Sequence, residues 1–323
     1  MVMTWSYIKA VSRLIRLPNL LIIVLTQSLI RWSLMSPLLK ANGIFLQMST
    51  SLFVALMLAT LLITAGGYVI NDYFDRKIDT VNNPEEVIVG RSISLRHSMT
   101  IHLVLTAIGV LLGFYVAWAI DYFVLGILFL LGSGILWFYS TTYKRQVFLG
   151  NFIVALMTAM VPMIILLFEL PLQYRKYGNL LASGDFGLSY LVLWVGCFSA
   201  FAFILTLARE IIKDAEDIRG DASFGRRTLP AVVGLPVSKA IVIALYVITA
   251  LSLVLIYLFY LPDRITLIYI TAFLIIPLAV TVFLTLKAKD QKDFHVISIL
   301  TKGIMISGLL YALAAQYIIH HYS

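Results

Sequence analysis

Apolar runs of about twenty residues recur along the whole chain, each closed by a short polar stretch. Nine are long enough to cross a hydrocarbon layer: 19–38, 49–70, 99–119, 122–140, 150–170, 188–209, 238–260, 265–286 and 298–319. None alternates with the period of two that a barrel strand would show. Lipid cannot satisfy a free backbone group, so the pattern predicts helices. The expected fold class is all-α: a polytopic membrane protein with nine transmembrane helices, read as one domain over 1–323 with no soluble part. Ahead of the first run, Trp5, Ile8, Val11 and Ile15 recur at helical spacing, which predicts a short interfacial helix. Lys9, Arg13 and Arg16 before an apolar run superficially resemble a signal peptide. No small-residue cleavage site follows and eight further spans do, so the run is read as a retained first helix.

Composition supports the same reading. Of 323 residues 61% are hydrophobic and 12% charged, with a mean hydropathy of +0.97; a soluble domain carries about a quarter charged residues. With the N-terminus in the cytoplasm, nineteen Lys and Arg fall on the cytoplasmic side. Five fall on the other: Arg31, Lys40, Arg175, Lys176 and Arg264. That asymmetry predicts an N-terminus and basic loops facing the cytoplasm, in an inner or plasma membrane. Because the basic residues are shared among short loops between apolar spans, the excess gives orientation and excludes a nucleic-acid partner. The single Cys197 lies inside a span and permits no intrachain disulfide.

The acidic residues are unevenly placed. Of sixteen, Asp72, Asp75 and Asp79 lie in "NDYFDRKID", and Glu210, Asp214, Glu216, Asp217 and Asp221 in "REIIKDAEDIRGD". The stretches follow the second and sixth spans, so both face the same side. Each sets three aspartates at i, i+3 and i+7, within roughly 60° of one another on a helix. Carboxylates packed together near a membrane are costly unless something positive sits among them, which invites a divalent cation. Six carboxylates and the Asn71 amide are hard oxygen donors with no His or Cys nearby, favouring Mg²⁺, Mn²⁺ or Ca²⁺ over zinc or copper. Arg76, Lys77, Arg91, Lys144, Arg145, Arg226 and Arg227 are placed to meet phosphate oxygens. A diphosphate with a long hydrocarbon tail suits such a pocket. A solvated helix end would explain one motif; two motifs of matched phase, holding half the acid, make it a poor account.

These residues resemble the UbiA superfamily of intramembrane prenyltransferases. "NDYFDRKID" resembles its NDxxDxxxD signature, and "DIRGD" its second, DxxxD motif. Arg16 and Asn19 in "RLPN", the loop "NNPEEVIVGRSIS", the segment "YSTTYKRQVFLGN" and "GRRTLP" match further motifs in the expected order. The resemblance implies nine helices around a central cavity, capped by cytoplasmic loops that carry the Asp motifs. It implies a Mg²⁺-bound polyprenyl diphosphate whose allylic group passes to a lipophilic acceptor. It also implies Asn71, Asp75, Asp217 and Asp221 as metal ligands, with Asp72, Asp79 and Asp214 beside them. Asp75, Asp79, Asp217 and Asp221 are the implied catalytic residues. Asn19, Arg16, Arg91, Lys144, Arg145, Arg227 and Tyr139 are the implied substrate contacts. Aromatic faces stabilise an allylic cation, and Tyr68, Tyr73, Tyr139 and Tyr143 lie near the motif ends, although most of the 17 tyrosines fit an interfacial belt.

The chain departs from the family at Glu86, where the loop usually carries an Arg; a diphosphate contact is replaced by a negative charge, which leaves either Arg91 to compensate or a loop that folds differently. "REIIKDAEDIRGD" with "GRRTLP" is most similar to the branch that alkylates geranylgeranylglyceryl phosphate. Branches acting on quinone precursors (4-hydroxybenzoate or dihydroxynaphthoate) or on chlorophyll and haem are the alternatives. Lys144, Arg145 and Arg16 are available to a phosphate-bearing acceptor. A secondary transporter would hold its acids near the bilayer midplane, whereas these lie at helix ends; an inactive binding protein of the same fold is the closer rival. Lys302 is expected to snorkel near the start of the last span. Residues 171–187, with Pro171, Gly178 and Gly184, are expected to form a non-cytoplasmic loop, adjoined by Glu169 and carrying Arg175 and Lys176. His320 and His321 are expected to form a solvated end.

Overall fold

The computed structural model describes residues 5–82, 84–85, 87–182, 188–218 and 227–322. Every regular element among them is helical; the one extended pairing is an isolated bridge between Val89 and Ile93. A short helix, α1 (Trp5–Leu14), precedes nine that are long and apolar enough to cross a membrane. These are α2 (Leu17–Ala41), α3 (Thr50–Asn82), α4 (Leu95–Ala119), α5 (Phe123–Thr141) and α6 (Leu149–Ala182). They continue with α7 (Ser189–Glu216), α8 (Leu229–Tyr260), α9 (Arg264–Lys287) and α10 (Gln291–Tyr322). The nine spans read from the apolar pattern are all present, and the chain is an integral membrane protein. Helices α2 and α9 each contain a π-helical stretch, Leu29–Met35 and Thr271–Ile275, where one wider turn interrupts the α-helical ladder.

By internal contacts the chain divides into two units. The first comprises Met1–Gln27, Gln47–Arg145 and Leu167–Lys176. Lipid gives helices no hydrophobic reason to associate, so close packing over small residues must supply it. On α3 and α4, a Cβ added to Gly66 would lie 2.6 Å from Thr106, and one on Gly109 2.8 Å from Ile63. These glycines let the two helices approach. Helix α1 lays Ala10 and Leu14 against Val69, Val89 and Ile93, so the interfacial helix is docked on the end of α3.

The second unit comprises Ser28–Leu46, Gln146–Leu166 and Tyr177–Ser323. Its core runs through Leu205, Ala208, Ile211, Ile212, Val242, Tyr246, Phe294 and Ile297. Inside it, polar groups that lipid could not satisfy find one another: the Tyr246 and Thr301 hydroxyls meet at 2.6 Å, as do those of Thr266 and Tyr311. The Lys239 ammonium donates to the Leu286 and Ala288 carbonyls at 2.8 and 3.0 Å, satisfying the C-terminal end of α9.

Four expectations are corrected. Residues 171–182 are not a loop: α6 continues to Ala182, and only 183–187 lie outside the described residues. Leu172 and Gln173 are buried and extend the inward face of the helix past Pro171, which outweighs the breaker residues. Glu169 is not at the edge of a loop but fully buried, accepting from the Gln47 N–H at 2.5 Å, the Met48 N–H at 3.2 Å and the Gln173 amide at 2.7 Å. Arg31, counted with the far side, is buried within α2, because the helix carries it inward at the π-helical stretch. Lys302 is about three turns into α10, not near its start, because the helix begins at Gln291.

Candidate active site

The first acidic motif rides on the last turns of α3, which continues in helix to Asn82, so Asp72, Asp75 and Asp79 do share a face. Two cations from elsewhere in the first unit sit among them. Lys144, on the 3₁₀ turn Tyr143–Arg145 after α5, places its ammonium 2.5 Å from an Asp75 carboxylate oxygen and 3.1 Å from the side-chain amide oxygen Oδ1 of Asn71. Both side chains of that ion pair are nearly buried, at 7% and 10% exposure. Arg16, in a left-handed backbone conformation (φ 51°) between α1 and α2, donates to Asp72 at 2.9 Å. Its guanidinium lies 4.9 Å from the Tyr68 ring centre. Burial works against the Arg16 charge, but Asp72 and Tyr68 outweigh it, so its pKa lies above the ordinary value. Tyr139, half-buried on α5, is also within electrostatic range of Arg16. Asn19 stands one turn further on in α2, its N–H held by the Arg16 carbonyl at 2.8 Å. Asp79 is half-buried near the end of α3, and Arg145 is exposed.

Beside the motif, Arg76, Lys77, Thr80, Val87, Val89, Gly90 and Arg91 line a cleft of about 360 Å³. Gly90 (φ +86°) permits the turn that closes it, and a Cβ there would meet the Arg76 side chain at 3.0 Å. Arg91 donates to the Pro84 carbonyl. Glu86, the residue that departs from the family pattern, lies outside the described residues.

The second motif differs from its expected form. Helix α7 ends at Glu216 and Asp217 caps it, with φ −94° and ψ 6°. The three aspartates therefore do not share one uninterrupted helical face. Asp221 and Arg226 lie outside the described residues; Arg227 is exposed, just before Thr228, the N-cap of α8. Asp214 accepts from the Asn151 amide of α6 at 2.8 Å. Asn151 was overlooked as a site residue, although it is the last residue of the "YSTTYKRQVFLGN" segment, where its motif position was the available signal. Among the described residues no three His, Cys, Asp or Glu side chains form a cluster suited to a metal.

The donor chemistry nevertheless fits a small hard cation. The Asn71 amide and the Asp75 carboxylate converge on one positive centre, the Lys144 ammonium, which marks a place where two oxygen donors can share a charge. Mg²⁺ takes one or two protein carboxylates and completes its shell with water and phosphate.

Long apolar helices, with hard oxygen donors and cations gathered at a polar helix end, define a membrane protein with a polar site at the mouth of its spans. The chain belongs to the UbiA prenyltransferase family, whose sequence model matches residues 12–302. Digeranylgeranylglyceryl phosphate synthase of Methanobrevibacter smithii is 28% identical over 262 residues, covering 80% of this chain and 84% of that one. Its namesake from Methanosphaera stadtmanae is 29% identical over 259 residues, covering 80% and 86%. A solved structure concerning digeranylgeranylglyceryl phosphate synthase in membranes has a TM-score of 0.64 at 22% identity, over 96% of this chain and 98% of that one. A UbiA homolog from Archaeoglobus fulgidus, bound to GPP and Mg²⁺, has a TM-score of 0.55 at 16% identity, over 94% and 99%. The structural likenesses establish the shared fold.

Proposed function

We propose that the protein transfers a geranylgeranyl group from geranylgeranyl diphosphate to the free hydroxyl of geranylgeranylglyceryl phosphate, forming the second ether bond of digeranylgeranylglyceryl phosphate. The observation that carries the reading is the convergence of Asn71 and Asp75 on one cationic centre, in a family of prenyltransferases whose relatives include synthases of that name. In the reaction the allylic C–O bond to diphosphate breaks, the glycerol oxygen bonds to the prenyl carbon, and the hydroxyl proton leaves. Bound Mg²⁺ would supply Lewis-acid stabilisation of the departing diphosphate. Asn71, Asp75, Asp217 and Asp221 would hold it, with Asp72, Asp79 and Asp214 supporting.

The chain's own residues have defined tasks in this reading. Arg16, Lys144 and Arg91 offer preorganised positive charge to the phosphate oxygens, which is worth more in a site from which water is excluded. Asn19, Arg145 and Arg227 are assigned to the same polar end. The Tyr68 and Tyr139 rings offer π faces to the allylic cation. The motif end of the chain is assigned to the cytoplasmic side, and the whole of 1–323 to one catalytic domain.

Membranes containing the protein, supplied with geranylgeranyl diphosphate, Mg²⁺ and a panel of acceptors, should alkylate geranylgeranylglyceryl phosphate in preference to 4-hydroxybenzoate or dihydroxynaphthoate. Asp75→Asn and Asp217→Asn should each lower the rate by at least about 100-fold, and EDTA should abolish it. Transfer that survives EDTA, or mutants as fast as the parent, would overturn the metal–diphosphate reading.

A further inference from the structure

The second unit contains a polar stripe that the metal site does not use. On α7, Thr206, Arg209 and Lys213 stand at i, i+3 and i+7, so they share one face, within about 60°. Charged side chains within a membrane helix are expensive and mark function by default. Here two like charges stand at i and i+4, an arrangement that destabilises a helix. Lys302 of α10, which packs against α7, lies within electrostatic range of both Arg209 and Lys213.

The stripe is also short of acceptors. Arg209 donates to Glu210 at 3.0 Å, but its buried Nε has no hydrogen-bond partner. Thr206 is 4% exposed, and its hydroxyl lacks even the usual bond to the preceding turn. Lys213 has no carboxylate partner among the described residues. Two buried donors and a surplus of positive charge in one place call for an anion with several oxygens. A phosphate monoester, with a charge of about −1.5 to −2 and three acceptor oxygens, has that character.

We propose that Arg209, Lys213 and Lys302, with the Thr206 hydroxyl, form the subsite that receives the phosphate monoester of the acceptor lipid. The proposal rests on the acceptor being a glycerophosphate lipid, as inferred above, and assigns its head group to these residues instead of Lys144, Arg145 and Arg16. Placement supports the acceptor over the donor. Lys213 stands about 6 Å along the helix from Asp217, on the side towards the span interior. A phosphate held there leaves its glycerol hydroxyl close to the second motif, while the aspartates remain committed to the diphosphate. Tyr246, fully buried and paired with Thr301, lies within electrostatic range of Arg209 and backs the site with a satisfied polar pair.

The test compares two Michaelis constants in the full-length protein. Arg209→Ala should raise the KM for geranylgeranylglyceryl phosphate by about 10- to 100-fold, the loss expected for a charge-assisted contact. The KM for geranylgeranyl diphosphate should stay within about twofold. The wild-type preference for the phosphorylated acceptor over phosphate-free geranylgeranylglycerol should collapse, and Arg209→Lys should restore part of it. Should Arg209→Ala fail to fold, as judged by its melting temperature, Lys213→Met and Thr206→Val carry the same comparison. A rise in the diphosphate KM alone, equal rises in both, or no change would each overturn the subsite and leave the proposed reaction standing. A wild-type protein that alkylates neither glycerol lipid would overturn both.

Discussion

Lys144 is the residue on which the first motif turns. Its ammonium is shared between Asn71 and Asp75, and the Asp75 pair is almost out of solvent. Removing one partner from such a pair leaves a buried charge uncompensated, which costs about 3–5 kcal/mol, whereas removing both does not. Lys144→Met should therefore lower the stability of the detergent-solubilised protein by that order. The double substitution Lys144→Met with Asp75→Asn should recover most of the loss in thermal melts. Asp72 and Arg16 present a milder case: the side chains are 20% and 39% exposed, so water screens the pair and Arg16→Ala should cost under about 1 kcal/mol. The contrast separates a cation held in the acidic site from one that lies across its rim.

At the scale of elements, the turn after α3 makes the clearest demand on its sequence. Gly90 at φ +86° donates its N–H to the Ile93 carbonyl at 2.7 Å, and it lies against Arg76. Gly90→Ala should cost roughly 1–2 kcal/mol of left-handed strain. By shifting the turn that carries Arg91, it should also raise the KM for the prenyl diphosphate, which steady-state kinetics would show. Helix α3 was legible in the sequence because the aspartate spacing and the apolar run share one period. The end of α7 was not, since the same i, i+3, i+7 spacing continues past the point where the helix stops. Nor was the length of α6, where Pro171 and Gly178 read as breakers while burial of Leu172 and Gln173 carried the helix onward. The role of Glu169 was out of reach of local reasoning, because two of its partners are backbone amides more than a hundred residues away in the chain. Lys144 could be named from its motif as a cation near phosphate. Its seat on Asn71 and Asp75 depends on a tertiary contact that no local pattern encodes.

At the scale of the molecule, the nine apolar helices among the described residues and the family fold define an integral membrane protein, and the distribution of Lys and Arg predicts which way it faces. Cys197 is the single thiol, so a Cys197→Ser background is free of cysteine. In that background a cysteine replacing Lys77 should react with a membrane-impermeant maleimide only from the cytoplasmic side, and one replacing Arg175 only from the other. The reverse labelling would invert the topology. Glu169 has a consequence at this scale too. By clamping the amides of Gln47 and Met48 just ahead of Thr50, it sets the zero of a measuring rod whose far mark, Asp75, stands about 38 Å along α3. Evolution can lengthen the chain beyond Asn82 without disturbing that mark. A single residue inserted between Thr50 and Asn71 would swing the mark through about 100° and advance it by about 1.5 Å. The calibrated quantity in this stretch is a count of residues, and indels there should be far rarer than substitutions.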